Sequence, residues 1–369
     1  MENPEITKDT TQQEISCKSC GSKLKFASGT NALKCEHCGA MNEIAVSNEI
    51  IEELDFEKFI NNFNDEAEKQ DVVTVKCDAC SAQTSFEANV VSGSCPFCGS
   101  PIVLSTGTIH RSIQPKSLLP FLIDKKKSKE MYSNWLKNLW WAPGDLMKLA
   151  SQDGKLTGMY IPYWTYDANT TTSYLGERGI DYTETEEYET TENGETVVRT
   201  REVVRTEWYP VSGQVNNTFD DTLVIASRSL PKENTQKLEP WDLQSLIPFN
   251  PSYLSGYKTE SYQIDLKEGF EDAKVRMEQV ISQDVLAAIG GNHQRVFTQE
   301  TSYDHITFKH ILLPIWISSY RYQNKVYRFL INGRTGQVQG ERPYSWMKIA
   351  LAVVAVFVLI FVIAKLTSG

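Results

Sequence analysis

Apolar residues fall into three periodic patterns along the chain. In "DLKEGFEDAKVRMEQVISQDVLAAIGG", Phe270, Ala273, Met277, Ile281, Val285 and Ile289 recur every 3.6 residues, which predicts an amphipathic helix with Gly290 as its C-cap. "IDKKKSKEMYSNWLKNLWWAPGDL" predicts a second helix, with Asp124 as N-cap, Met131, Trp135 and Leu139 on one face, and Pro143-Gly144 ending it. This basic helix also carries Trp140 and Trp141 nearby, so it suits either a core position with solvated lysines or an anionic membrane surface. "NEIIEELDFEKFINNFNDEAEKQD" predicts an acidic helix whose Ile51, Leu54, Phe59 and Phe63 recur at roughly helical spacing. It reads either as a solvated linker or as a helix that binds a partner or clamps the rest of the chain.

Strand-like alternation dominates elsewhere. "IDYTETEEYETTENGETVVRTREVVRTEW" predicts a long hairpin over 180–208, with Asn193-Gly194 in a type I′ turn. Counting back from that turn sets Glu186 opposite Arg201 and Tyr188 opposite Arg199. Residues 296–340 read as strands with turns at Gln323-Asn324 and Asn332-Gly333. "YIPYWTYDA" (160–168) and "LLPIWISSY" (312–320) echo each other in placing a Pro two residues before a Trp, which predicts two similar sheet elements. The expected fold class is multidomain: two small zinc ribbons, an α+β domain over 105–345 dominated by antiparallel sheet, and one C-terminal transmembrane helix.

That helix is predicted over 347–366. Ile349 to Ala364 are 16 uncharged residues, and about 20 residues with their flanks match a hydrocarbon core of about 30 Å. Lys348 and Lys365 can snorkel to the two headgroup layers, and Tyr344 and Trp346 suit the interface. The amino-terminal "MENPEITKDTTQQE" lacks an apolar core, so no secretory signal is expected, and residues 1–14 read as disordered.

The cysteines supply the candidate chemistry. Cys17, Cys20, Cys35 and Cys38 have the spacing Cys-x2-Cys-x14-Cys-x2-Cys, and Cys77, Cys80, Cys95 and Cys98 repeat it. Such spacing points to two Zn²⁺ ions, one per ribbon, over 15–44 and 73–104, with 45–72 as an acidic helical linker. Disulfides or rubredoxin-like iron would use the same residues. Gly21, Gly39 and Gly99 follow the knuckles where a positive φ is wanted, and Ser81 departs from them. Phe26 and Phe86 match at an offset of 60, and His37 reads as a spectator. Thiolate-bound zinc implies a reducing compartment, hence a single-pass protein of the cell membrane with its bulk in the cytoplasm. Arg334, Arg342 and Lys348 before the span, offset by Glu341, against Lys365 after it, agree mildly, and the compartment argument carries more weight.

Charge narrows the function. Residues 1–104 carry −9 of the chain's net −10, which opposes a phosphate backbone and argues against nucleic acid as the partner. No glycine-rich phosphate loop or Gly-x-Ser-x-Gly occurs, and His110, His293, His305 and His310 are scattered, so no enzyme is expected. The ribbons, "LTGMYIPYWTYDA", "EWYPVSGQVNNTFDD", "LEPWDLQSLIPFNPSYLSGY", "FKHILLPIWISSYRY", "INGRTGQVQGERPYSWMKI" and the closing span together resemble a bacterial family of membrane-anchored, TFIIB-type double zinc-ribbon proteins. Its members are often labelled as a replication-restart helicase, a label the missing phosphate loop does not support. The resemblance implies a place beside phage-shock-like and SPFH envelope-stress proteins, and a role in recruiting cytoplasmic protein partners to the membrane. A noncatalytic adaptor is the leading expectation. A membrane-tethered nucleic-acid binder and a zinc or thiol stress sensor stand open beside it.

Overall fold

The computed structural model describes residues 15–45, 47, 49–61, 69–84, 92–103, 108–144, 146, 156–192, 195–323 and 325–367. The expected disorder of 1–14, Phe63, Phe86, the Asn193-Gly194 turn and Asn324 lie outside the described residues.

The first ribbon is a three-stranded antiparallel sheet, β1 (Leu24–Phe26), β2 (Ala32–Cys35) and β3 (Met41–Glu43). Then come β4 (Leu54–Asp55) and α1 (Phe56–Asn61), a helix that starts later than the acidic pattern predicts. Leu54 pairs with Phe308, and Phe56 and Phe59 stack on Phe270 and Phe308, so this segment takes the clamp form. The second ribbon uses β5 (Lys69–Lys76), β6 (Gln83–Thr84), β7 (Ser92–Ser94) and β8 (Pro101–Val103). Its first strand also pairs along most of its length with β9 (Thr108–Ile113), beyond the boundary at 104 that the sequence suggests. After β10 (Ser117–Leu118) comes α2 (Lys125–Lys137), whose N-cap Asp124 accepts from the Lys127 N–H at 2.7 Å, as expected.

α2 stops at Asn138, short of Pro143-Gly144. It buries Ser128, Tyr132 and Leu136; of the 131/135/139 stripe, Leu139 is buried just beyond the helix end while Met131 and Trp135 flank the core. The reason is Phe329, whose ring lies 4.4 Å from Tyr132 and 4.8 Å from Trp135 and draws the seam between the two stripes inward.

Three long strands make the body. β11 (Thr157–Glu192) and β12 (Glu195–Ile225) pair antiparallel from Tyr163–Ile225 out to Glu192–Glu195. After α3 (Lys232–Gln236), β13 (Ile247–Pro248), β14 (Lys258–Thr259) and α4 (Leu266–Ile289), the chain returns as β15 (His293–Tyr322) on the other edge of β11. β16 (Lys325–Asn332) and β17 (Val338–Gly340) complete the sheet, and α5 (Trp346–Thr367) follows. The two Pro-Trp echoes are neighbours: Pro162 pairs with Leu312 and Tyr160 with Pro314, antiparallel. The register beyond them sets Glu186 opposite Arg201 and Tyr188 opposite Arg199, as counted from the turn.

Alternation along these strands divides the core between two faces. Tyr160, Leu312, Trp316 and Tyr320 point to one side, against Leu24, Phe26 and Leu33 of the first ribbon and Tyr132 and Leu136 of α2. Met159, Ile161, Leu313, Ile315 and Ile317 point to the other side, against Ala82, Phe97 and the cysteines of the second ribbon. Each ribbon therefore caps one face of the same sheet. Further along the first face, Trp164, Tyr166 and Tyr174 receive Phe270, Ala273, Met277, Ile281, Val285 and Ile289 of α4, all six buried as the periodicity predicts, with Gly290 as the C-cap at φ 68°.

Candidate metal centres

Four knuckles share one backbone pattern. In each, the N–H four residues after the first cysteine bonds back to that cysteine's carbonyl: Gly21 to Cys17 at 2.8 Å, Gly39 to Cys35 at 3.0 Å, Ser81 to Cys77 at 2.7 Å and Gly99 to Cys95 at 2.9 Å. The cysteine's own N–H then bonds to the carbonyl five residues on, as Cys17 does to Ser22 and Cys95 to Ser100, both at 2.8 Å. The closing residue takes a positive φ every time, 73°, 76° and 72° at the glycines and 60° at Ser81. Ser81 departs in sequence and conforms in geometry.

The knuckles bring all eight predicted ligands into two groups of four, the sulfurs of each lying within 4.8 Å of one another. Cys17 and Cys38 are 3.7 Å apart and Cys20 and Cys35 3.5 Å; in the second group Cys77 and Cys98 are 3.7 Å apart and Cys80 and Cys95 3.6 Å. A tetrahedron with metal–sulfur bonds of about 2.3 Å has edges of about 3.8 Å, so both groups fit a four-thiolate metal site. No cysteine is in a disulfide. His37 is exposed and belongs to neither group.

Hydrogen bonding already favours thiolate at some sulfurs. The Ser22 hydroxyl and N–H beside Cys20 bring it down to about 6. Burial works against charge on Cys98, but the Ser100 hydroxyl and N–H outweigh it and bring that thiol down to about 7. Burial pushes Cys80 up to about 11. The environments differ in exposure as well: Cys20 and Cys38 are exposed, whereas Cys77, Cys95 and Cys98 are buried and Cys80 is intermediate.

A third ionisable cluster went unnoticed in the sequence because its members come from four separate segments. Glu53, Asp167 and Asp220 converge where both β12 and β15 bulge, at Asp221 (φ 51°) and His305 (φ 53°). Asp167 accepts from the Asp221 N–H at 2.6 Å and from the Thr307 hydroxyl at 3.0 Å, pinning both bulges to the central strand. Lys309, almost fully buried, pairs with Glu53 and with Asp221 at 2.8 Å each. Burial and Glu53 push Asp167 up to about 6, while the hydrogen bond from Asp167, together with Lys309, holds Glu53 down at about 2. The ammonium of Lys309 supplies the positive charge here, so the cluster is a structural joint.

Glu260 was also missed. It is buried, receives hydrogen bonds from Ser229 and from Gln263 at 3.2 Å, and its backbone bridges Thr84 of the second ribbon. Burial raises it to about 8. The expected scattering of the histidines holds among the described residues. His310 is buried, its Nδ1–H donating to the Ile113 carbonyl at 2.8 Å, and burial lowers it to about 4. His293 lies 3.1 Å from Asp181, far along the sheet, and His305 is exposed.

No family model matches the chain, and no solved structure matches it. An uncharacterised protein of Bacillus subtilis (strain 168), YdjG, is 28% identical over 335 residues, covering 90% of this chain and 91% of that protein. The chain thus has a relative that it matches along nearly its whole length, and its described residues include two tetracysteine clusters of metal-binding geometry, a sheet-dominated body and one helix long and apolar enough to cross a membrane.

Proposed function

We propose that the protein is a noncatalytic membrane-anchored adaptor: a head folded around two Zn²⁺ ions, held at the inner leaflet by α5, that presents a β arm to cytoplasmic protein partners. One observation carries this reading. Beyond Gly179, where the pairing with β15 ends, β11 and β12 run on alone as a two-stranded arm over 180–207. At about 3.3 Å per residue it extends about 40 Å.

Both faces of the arm meet solvent, and they differ. One carries Tyr182 and Tyr188 among Glu184, Glu186, Arg199, Arg201 and Arg205, with Arg201 paired to Glu186 at 2.8 Å. The other carries Asp181, Glu187, Glu189 and Glu202 with no cation among the described residues, and its Val198 and Val204 are 57% and 67% exposed. Isolated two-stranded ribbons are marginal in water, and a partner strand or surface would stabilise this one. The ribbons have less free surface to offer, because their apolar faces are already buried in the head.

Four-thiolate coordination supports zinc and a reducing compartment; on that reading the head lies in the cytoplasm and α5 crosses the cell membrane. The resemblance to double zinc-ribbon proteins supports partners of the SPFH or phage-shock type. In-cell crosslinking of the full chain, compared with a chain lacking 184–203, tests the adaptor. We expect two zinc ions per chain in both and loss of the crosslinked protein only without the arm. The same protein captured by both chains, or nucleic acid bound with a steep salt dependence, would sink the proposal. A thiol-sensor reading has one observation in its favour, the exposure of Cys20 and Cys38 in the first centre.

A further inference from the structure

The start of α5 is fastened to the head. The Ser345 N–H donates to the Trp141 carbonyl at 2.7 Å, and the Lys348 ammonium donates to the carbonyls of Trp140 at 3.0 Å and Ala142 at 2.8 Å. The Ser345 hydroxyl accepts from the Lys348 N–H at 3.4 Å, in the manner of an N-cap. The loop after α2 is therefore held at the level where the apolar helix begins.

Leu139 and Ala142 of this loop go into the core, but the aromatic rings around the junction face outward. Trp140 and Trp346 are each 77% exposed, and Tyr344 is 60% exposed. Trp141 and Tyr344 overhang a stripe of α5, and with Ile349, Val353, Val356 and Phe357 they line an apolar groove of about 550 Å³. Indole and phenol rings at the top of an apolar span are the composition of a membrane interface. In water this groove would be an exposed hydrophobic surface with nothing to cover it. Two cations sit at the notch itself, Arg342 at 5.3 Å over the Tyr344 ring and Lys348 on the loop carbonyls, and a third, Lys137 in the last turn of α2, directly precedes that loop.

We propose that this notch is a binding site for an anionic phospholipid, with one acyl chain in the groove and the headgroup among Lys137, Arg342 and Lys348. The proposal rests on α5 crossing the bilayer. Cations near an anionic leaflet are attracted to it, and three of them oppose the repulsion of a chain whose net charge is −10. The lipid thus fixes which side of the acidic head faces the membrane.

The test uses the full chain in vesicles containing a minor fraction of phosphatidylglycerol or phosphatidylcholine brominated near the top of the acyl chain. Of the eight tryptophans, Trp140, Trp141 and Trp346 should be quenched, and the Trp140→Leu/Trp141→Leu variant should lose two of those three. Brominated phosphatidylglycerol should quench at least about twofold more than phosphatidylcholine at equal mole fraction. Equal quenching by the two lipids, or a variant with the same number of quenched tryptophans as the wild type, overturns the proposal. Alkaline extraction reports separately on α5. A chain that stays with the membrane but shows no quenching at 140 and 141 overturns the notch alone, while extraction of the wild type overturns the span and the notch with it.

Discussion

Ser81 holds the left-handed conformation that glycine holds in the other three knuckles, and a Cβ there costs roughly 1–2 kcal/mol. Ser81→Gly should therefore tighten the second centre; about 1 kcal/mol is roughly a fivefold gain in metal retention against a competing chelator, with the first centre unchanged. Exposure sets a second contrast. Under mild oxidation the first centre should lose metal before the second, because Cys20 and Cys38 are open to solvent. Mass spectrometry of alkylated cysteines over time checks the order, and simultaneous loss would contradict it. Glu260 gives a pH effect of definite sign. Its carboxyl is neutral in the folded chain up to about 8 and ionised in the unfolded chain above about 4.3, so the folded state holds one more proton between those values. Its contribution to stability falls across that window by about 1.4 kcal/mol per pH unit at most, and is flat above it. Glu260→Gln should remove this slope. Thermal midpoints of both chains from about pH 5 to 8.5 isolate the difference from the pH dependence of metal binding.

Among the elements, α4 was the most legible, because a single stripe of six apolar residues leaves one way to bury it. α2 was harder: 131/135/139 and 128/132/136 overlap, and with Phe329 of a distant strand meeting Tyr132 and Trp135 across the seam, buried residues come from both stripes. The length of β11 was hidden for a different reason. On its solvent face Asn169, Thr171 and Ser173 are small and polar and resemble loop, although they alternate with Thr170, Thr172 and Tyr174, which are buried. The metal ligands were readable because spacing alone specifies a knuckle. The joint at Lys309 was not, since Glu53, Asp167, Asp221 and Lys309 are brought together only by the sheet. Placing a ribbon on each face of the sheet changes what a ligand mutation should do. Cys77→Ser with Cys80→Ser should unfold the second ribbon and also uncover Met159, Ile161 and Ile315, so limited proteolysis should open the body of the head and not only residues 73–104. Ile281→Ala in α4 should cost about 3 kcal/mol with both centres still loaded, measured by thermal denaturation and metal content.

At the scale of the whole molecule, the proposed anchor predicts that the head and the apolar helix can be separated. Removing 346–369 should leave both metal centres filled and move the chain from the membrane pellet to the supernatant, as fractionation would show. A truncated chain that still pellets would place further membrane contact in the head, where Trp140 is the first residue to replace.

The position of the ribbons also has a consequence for the order in which the molecule can be made. The Ser255 hydroxyl donates to the Leu24 carbonyl at 2.6 Å across 231 residues, and Arg328 donates to the Phe97 carbonyl at 2.9 Å across the same separation. The knuckles are translated first and can take up metal at once, but strands β15 and β16 that cover them emerge roughly 200 residues later. At about 5–20 residues per second that interval is roughly 10–40 s. During it Leu24, Phe26 and Phe97 have at most the β11–β12 part of their sheet to rest on. Early metal uptake would keep these first segments from aggregating, so metal starvation during synthesis should be more damaging than chelation afterwards.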